Sequence, residues 1–243
     1  MSRGSLLLCL AAALGGALAL GGTAAQARNK ESYQTAGDCA GLPRVAVQTP
    51  AGLCLGLVVQ GLGFARGVAV IGDDVYVADM GGWRANRGRL LKLSGGRAPA
   101  AEILKGLDQP NTLVATADGH LLIGLHGRIV EYVPGHEGLR ERVTGLPADG
   151  RHPLTAFTQA PDGTLYVNVG SRSDNCEGAD GKLPDPAQPC AELEAKPPRG
   201  AILKIPPQPA NAAAIDAATA GVHVRGLRNA MALALLADGV LLA

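Results

Sequence analysis

The chain repeats one hydrophobic pattern four times: a short apolar run, a turn built on Asp-Gly or Asp-Asp, and a second short apolar run. The copies span residues 61–82, 106–127, 152–174 and 226–243. Two short apolar runs that flank an Asp-Gly turn are typical of a β-hairpin. A repeat of this kind indicates a fold built from equivalent structural units.

Each of the first three copies is followed by two further segments that have the pattern of strands. The third segment alternates apolar and charged residues, at 88–93, 127–132 and 200–205, and a fourth segment follows at 102–105, 139–143 and 222–225. Four strands in a unit of roughly 40 to 50 residues are typical of a propeller blade. None of the runs has a helical period, and the alanine-rich segment 210–220 is predicted to be a loop because prolines precede it. The sequence therefore predicts an all-β protein, a β-propeller with about four blades in this chain.

The N-terminus has the pattern of an export signal. Arg3 supplies a positive charge, residues 6–20 form an apolar run, and Ala25-Gln26-Ala27 is a small-residue cleavage site. An uncleaved anchor helix is the alternative, but the apolar run is short for that role. We expect residues 1–27 to be a signal peptide, residues 28–243 to form the propeller domain, and the mature protein to be periplasmic or secreted. No later stretch is apolar for long enough to span a bilayer.

Charge and cysteine content restrict the partners and the compartment. Removal of residues 1–27 leaves basic and acidic residues in balance, which argues against nucleic acid or an anionic membrane as the partner. It also leaves four cysteines, which in an oxidising compartment indicate two disulfides. The local pairs are Cys39 with Cys54 and Cys176 with Cys190, and no C-x-x-C motif for haem or a zinc ribbon occurs.

The candidate functional residues stand where each repeat begins. The innermost strands of a propeller surround a central channel, so polar residues at their starts converge on one mouth of it. These residues are Arg66, Asn111, His152, Arg228 and Asn229. Taken singly, the histidine is readily explained by a bond to nearby backbone, and the Arg-Asn pair by capping or an ion pair. Together, one base, one fixed cation and several amide donors suit the oxidation of an alcohol against an anionic cofactor.

Four segments carry a resemblance to a known family. Residues 151–170 and 226–234 resemble the glucose/sorbosone dehydrogenase family, the second through its Gly-x-Arg-Asn signature. Residues 79–83 and 86–90 look like the sorbosone dehydrogenase branch. The similarity covers most of the chain from about Arg44 to its end.

The resemblance implies a six-bladed propeller that holds pyrroloquinoline quinone (PQQ) at the channel mouth, with calcium. It implies that His152 removes the sugar hydroxyl proton while hydride passes from C1 to the quinone, and that Arg228 and Asn229 hold and polarise the quinone. The family carries its calcium-binding segment and further basic residues in later blades, so the resemblance also implies a sequence truncated at its C-terminal end. The expected partners are a small sugar and an unidentified electron acceptor.

An insertion at residues 171–199 separates the third and fourth copies and is rich in acidic residues. A calcium loop is one reading, but the spacing matches no EF-hand pattern. We expect a solvated surface loop stapled by Cys176 and Cys190, lying above the channel mouth. Two other functions remain open at this point: a non-catalytic propeller scaffold or inactive fragment, and, with less support, a calcium-dependent lactonase-type hydrolase.

Overall fold

The computed structural model describes residues 33–178 and 180–243. The predicted signal peptide lies outside these residues. Within the described part of the chain, no helix is long and apolar enough to cross a membrane.

The structure is a β-propeller made of short antiparallel sheets, as the repeat predicts. A small hairpin comes first, formed by β1 (Thr35–Cys39) and β2 (Leu42–Val45). Blade 1 contains β3 (Ala65–Ile71), β4 (Asp74–Asp79), β5 (Gly88–Leu93) and β6 (Ala101–Leu107). Blade 2 contains β7 (Thr112–Ala115), β8 (Leu121–Leu125), β9 (Arg128–Tyr132) and β10 (Arg140–Thr144).

Blade 3 is interrupted by the insertion and is followed by one more hairpin. It contains β11 (Phe157–Gln159), β12 (Leu165–Val169), β13 (Ala201–Ile205) and β15 (Gly221–Arg225), while β14 (Ile215–Asp216) joins the edge of blade 2. The last hairpin pairs β16 (Ala234–Leu235) with β17 (Leu241–Leu242). Three-residue or four-residue 3-10 turns span Ser94–Gly96, Ala191–Glu194 and Ala217–Thr219.

The core lies between the faces of neighbouring blades. Blades 1 and 2 bury one apolar cluster, in which Leu90, Leu121 and Ile123 have no exposed surface. Blades 2 and 3 bury a second cluster around Ile129, Val167 and other aliphatic side chains. Short strands with aliphatic side chains pack closely, which is how a chain with few aromatic residues builds this core.

The segment 210–220 differs from the predicted loop. Ile215–Asp216 forms a two-residue strand that pairs in parallel with Val143–Thr144 of blade 2. The Asp216 side chain accepts a hydrogen bond from the Ala218 N–H and so starts the 3-10 turn that follows. This turn places Ala217, which is fully buried, in the cluster between blades 2 and 3.

The topology brings a defined set of connections to one end of the propeller. The first strands of neighbouring blades contact one another and form the innermost layer. Because successive strands are antiparallel, the connections that enter these first strands lie at the same end as those joining second to third strands. The Asp-containing hairpin turns lie at the opposite end. The end at which the first strands begin therefore carries residues 80–87, which we call the mouth loop, and the insertion loop 171–199.

Both predicted disulfides are present. Cys39 pairs with Cys54 and Cys176 pairs with Cys190, with Cα atoms 5.8 and 5.9 Å apart. The first links the initial hairpin to the segment that precedes blade 1, and the second closes the insertion loop.

Candidate active site

A cleft of about 770 Å³ opens between the inner strands at the predicted end of the propeller. Its walls come from β3, β7 and β11, from the mouth loop through Trp83, and from the segment that enters the last hairpin. Four predicted site residues line it: Arg66, Asn111, His152 and Asn229. These four side chains therefore lie around one opening.

His152 is held by the start of the insertion loop. Its side chain is 8% exposed, and Nδ1 lies 2.9 Å from the Ser171 carbonyl oxygen and 3.2 Å from the Ser171 hydroxyl. Because a carbonyl oxygen only accepts, the bond to it is made when Nδ1 carries the proton. In the neutral ring this leaves Nε2 as the atom that can accept a proton.

Asp174 faces Nε2 of this histidine and joins it to two arginines. One carboxylate oxygen lies 3.3 Å from His152 Nε2 and accepts from Arg228 Nε at 2.9 Å and from Arg228 Nη2, while the other oxygen accepts from Arg151 Nη1. Hydrogen bonds from Arg228, followed by those from Arg151, lower the pKa of Asp174. We call His152, Asp174, Arg151 and Arg228 the mouth cluster.

The insertion loop is solvated as expected over residues 180–189, which are exposed. Asp174 departs from that expectation, because it is only 25% exposed and is turned toward the predicted base. The insertion carries several acidic residues without a period that would single one of them out. The contacts of Asp174 with His152 and Arg228 depend on how the loop folds, so sequence reasoning missed them.

Backbone hydrogen bonds and the disulfide fix the beginning of the insertion loop. Glu177 accepts from the backbone N–H groups of Asp174 and Asn175, at 3.0 and 3.2 Å. The Asn175 N–H and, after it, the Asn175 amide lower the pKa of Glu177 to about 2. Glu192 accepts from the Ser173 hydroxyl at 2.5 Å, and Cys176 is bonded across the loop. Asp174 is therefore positioned by its own loop as well as by the arginines.

Asn229 is positioned by a fully buried amide. Asn168, at the end of β12, donates from Nδ2 to Asn229 Oδ1 at 3.3 Å and accepts from the Ala230 N–H at 3.2 Å. Close packing also requires Gly170 beside it, since a β-carbon there would lie 2.5 Å from His152 Cβ and 3.2 Å from Asn229 Oδ1. The Asn229 amide is thus held next to the histidine.

Arg228 lies at the rim and is not among the residues that line the cleft. Its side chain is 60% exposed, its guanidinium binds Asp174, and its carbonyl accepts from the Ser171 N–H at 2.8 Å. On the opposite wall, the Arg66 guanidinium lies 5.3 Å from the centre of the Phe64 ring. The cleft is therefore flanked by positive charge on both sides, with one carboxylate, Asp174, between Arg151 and Arg228.

Among the described residues, one group of side chains has the spacing of metal ligands. Ligand atoms of Asp118, His120 and Glu131 lie within 4.8 Å of one another, near a second cleft of about 880 Å³ at the hairpin-turn end. Glu131 is already bound by Arg140 and lies 3.5 Å from Arg142. These cations neutralise the carboxylate, so the group is not arranged to hold a further cation.

Comparison with known proteins supports the fold. No family model and no curated protein matches the chain. A calcium structure of the Trichoderma reesei carbohydrate-active enzyme of family AA12 covers 80% of this chain and 46% of its own, with 15% identity and a TM-score of 0.52. An iodide structure of the family AA12 enzyme from the same organism covers 68% and 41%, with 16% identity and a TM-score of 0.50.

A third structure, of a protein described as a putative gluconolactonase, covers 75% of this chain and 56% of its own, with 19% identity and a TM-score of 0.45. The chain spans less than half the length of the two AA12 structures. At these identities the similarity concerns the fold, which agrees with the propeller seen in the sheets.

Proposed function

We propose that the protein is a PQQ-dependent oxidoreductase that oxidises an aldose or aldehyde sugar by transfer of hydride to the quinone. The observation that carries the proposal is the mouth cluster: a buried histidine paired with a carboxylate, beside two guanidinium groups and the Asn229 amide, at the edge of one cleft. The two disulfides support export to an oxidising compartment.

The residues present fit an anionic quinone. PQQ is a flat tricarboxylate, and Arg228, exposed at the rim, has donors available in addition to those that bind Asp174. Two guanidinium groups against one carboxylate leave a positive charge beside the cleft. Arg228 and Asn229 would hold the cofactor, as the family resemblance implies, and the quinone supplies the hydride acceptor when bound.

The chain's own residues then handle the proton of the sugar hydroxyl. With Nδ1 donating to the Ser171 carbonyl, His152 accepts that proton at Nε2 as the C1–H bond breaks and its electron pair leaves with the hydride. Asp174, 3.3 Å from Nε2, stabilises the imidazolium that results. Arg228 and Asn229 would hold the quinone's oxygens and would stabilise negative charge on them.

Calcium does not fit the described residues at this mouth. Calcium takes six to eight oxygen ligands, whereas no carboxylate lines the cleft and Asp174 is bound by two arginines. We therefore assign calcium no step. The calcium expectation from the family resemblance stays a prediction.

Dye-linked oxidation of an aldose panel, with PQQ added to the purified protein, tests the proposal. We expect His152→Ala to lower kcat by about 10²- to 10⁴-fold, the usual contribution of a general base, while PQQ binding is retained. His136→Ala is the control, because His136 is exposed in a turn outside the cleft.

Two results would contradict the proposal: oxidation of no sugar by PQQ-loaded protein, or equal turnover in wild type and His152→Ala. A protein that binds sugar but not PQQ would instead support the scaffold alternative. The electron acceptor and the sugar are the partners that the assay identifies.

A further inference from the structure

Trp83 is an exposed aromatic residue on the wall of the cleft that holds His152. It is the single tryptophan of the chain, it lies in the mouth loop, and it is 58% exposed. An indole carries a large apolar surface, so its exposure to water is unfavourable unless a ligand covers it. The proton transfer assigned to His152 and Asp174 does not involve Trp83.

Phe64 supports Trp83 from the side. The two ring centres are 6.3 Å apart and the planes are inclined by 55°, so the rings are tilted and not stacked face to face. Phe64 is itself 38% exposed, and the Arg66 guanidinium lies over its ring. Trp83 lines the cleft, whereas Phe64 lies outside the lining and contacts Trp83; we call this pair the aromatic wall.

Buried polar bonds hold this wall in place before any ligand binds. The fully buried Asp79 carboxylate accepts from the Phe64 N–H at 2.6 Å and from the Gly63 N–H at 2.9 Å. It also accepts from the Gly81 N–H at 3.3 Å, at the start of the mouth loop that carries Trp83. The same carboxylate therefore fixes both segments that present the aromatic rings.

The cleft also offers polar side chains away from this wall. Arg151, His152 and Asn229 line it, together with apolar residues such as Leu154 and Met231. A ligand that matches the aromatic wall and these polar groups has one apolar face and an edge of hydroxyl groups. A pyranose sugar has this character, since its axial C–H bonds form an apolar face that meets the electron-rich face of an aromatic ring.

We propose that Trp83, supported by Phe64, is the stacking wall for the sugar ring and a specificity-determining residue for ring-closed sugars. The proposal rests on the proposed function and names the part of the site that selects its substrate. It places the apolar face of the sugar against Trp83 and its hydroxyl edge toward His152. Trp83 contacts substrate in this arrangement and has no part in proton transfer.

Tryptophan fluorescence tests the proposal directly, because all indole emission comes from Trp83. The protein is titrated without PQQ against an aldose panel led by D-glucose, and against sorbitol, which has similar hydroxyls but no pyranose ring. We expect a saturable change in emission with at least one aldose and none with sorbitol. The proposal is overturned if no aldose changes the emission, or if PQQ alone changes it and sugars do not, which would make the wall a platform for the cofactor.

Calorimetry of substituted proteins gives a second readout. We expect Trp83→Ala to weaken binding of the responding sugar about tenfold and Trp83→Phe to restore most of it, because a phenyl ring retains a stacking face. Tyr33→Ala is the control, since Tyr33 is exposed and outside the cleft. Equal affinity of Trp83→Ala and wild type would overturn the stacking role.

The result is separable from that of the proposed reaction. Sugar-dependent emission without dye-linked oxidation would remove the dehydrogenase proposal and keep the stacking wall. Oxidation with a kcat/KM that is unchanged in Trp83→Ala would keep the dehydrogenase and remove the wall.

Discussion

Replacement of Asp79 by asparagine tests whether this buried carboxylate organises blade 1 and the mouth above it. Asp79 has no exposed surface and accepts five hydrogen bonds, from the N–H groups of Gly63, Phe64 and Gly81 and from Nε and Nη2 of Arg89. An asparagine side chain has the same shape, but its NH₂ group would face N–H donors that now bind a carboxylate oxygen. It also leaves the Arg89 guanidinium without its nearest anion.

The expected loss of stability is about 2–4 kcal/mol. Removal of one partner from a buried ion pair costs about 3–5 kcal/mol, and the value here is lower because the Arg89 side chain is 34% exposed. For a chain of this size, each kcal/mol corresponds to about 2–4 °C in Tm, so we expect Asp79→Asn to melt roughly 4–16 °C lower.

Urea and thermal unfolding, followed by circular dichroism, measure this loss. Asp73→Asn is the matched control, because Asp73 is an exposed acidic residue in the same blade. The Arg89→Ala substitution should lower the free energy of unfolding less in the Asp79→Asn background than in wild type, since the ion pair is already broken. A stability of Asp79→Asn within about 0.5 kcal/mol of wild type would refute the assigned role, because surface substitutions have effects of that size.

The pH dependence of the stability gives a second check on the role of Asp79. Burial alone would raise the pKa of Asp79, but hydrogen bonds from Gly63, Arg89 and Phe64 outweigh it and hold the pKa below the ordinary 3.8. A lowered folded pKa means that the stabilisation is present above the unfolded pKa and is lost as pH falls through the folded pKa. The stability difference between wild type and Asp79→Asn should therefore be constant near neutrality and shrink below about pH 4. A difference that grows in acid would contradict this assignment.

Three further predictions concern the mouth. Asp174→Asn should lower kcat about tenfold in dye-linked oxidation and leave PQQ binding intact, because it removes the counter-ion of the histidine; unchanged kcat would contradict that role. Conversion of Cys176 and Cys190 to alanine should cost up to about 3 kcal/mol and lower kcat, whereas loss of the other disulfide should affect melting alone. Gly81→Ala should melt at a lower temperature than Gly72→Ala, although both glycines have positive φ. A β-carbon at Gly81 would lie 2.3 Å from a backbone oxygen, whereas one at Gly72 would meet nothing within 4 Å. Equal Tm values of the two variants would count against a tightly packed mouth loop.

The strands and the inner positions of the propeller follow from local patterns. Asp-Gly turns between apolar runs predict hairpins such as β7–β8 and β11–β12, and the structure pairs them as expected. Because the repeat fixes which residues begin each inner strand, it also brings His152 and Asn229 to one cleft. The two disulfides follow from the short separation of their cysteines.

The connections between strands could not be predicted in the same way. Asp174 is the last residue of the third copy and Trp83 follows the first copy, and both lie in loops of unequal length, so no period reports where their side chains point. The strand at Ile215–Asp216 has two residues and depends on an edge offered by blade 2, which is far away in sequence. Tertiary contacts decide these features, and two of them, the placements of Asp174 and Trp83, complete the candidate site.

Titration of the purified protein with PQQ in a calorimeter tests the central claim most directly. The account predicts saturable binding of one PQQ per chain, weakened at least tenfold in Arg228→Ala and unchanged in Arg44→Ala, an exposed arginine outside the cleft. Absence of binding, or equal affinity of the Arg228→Ala and Arg44→Ala proteins, would contradict it.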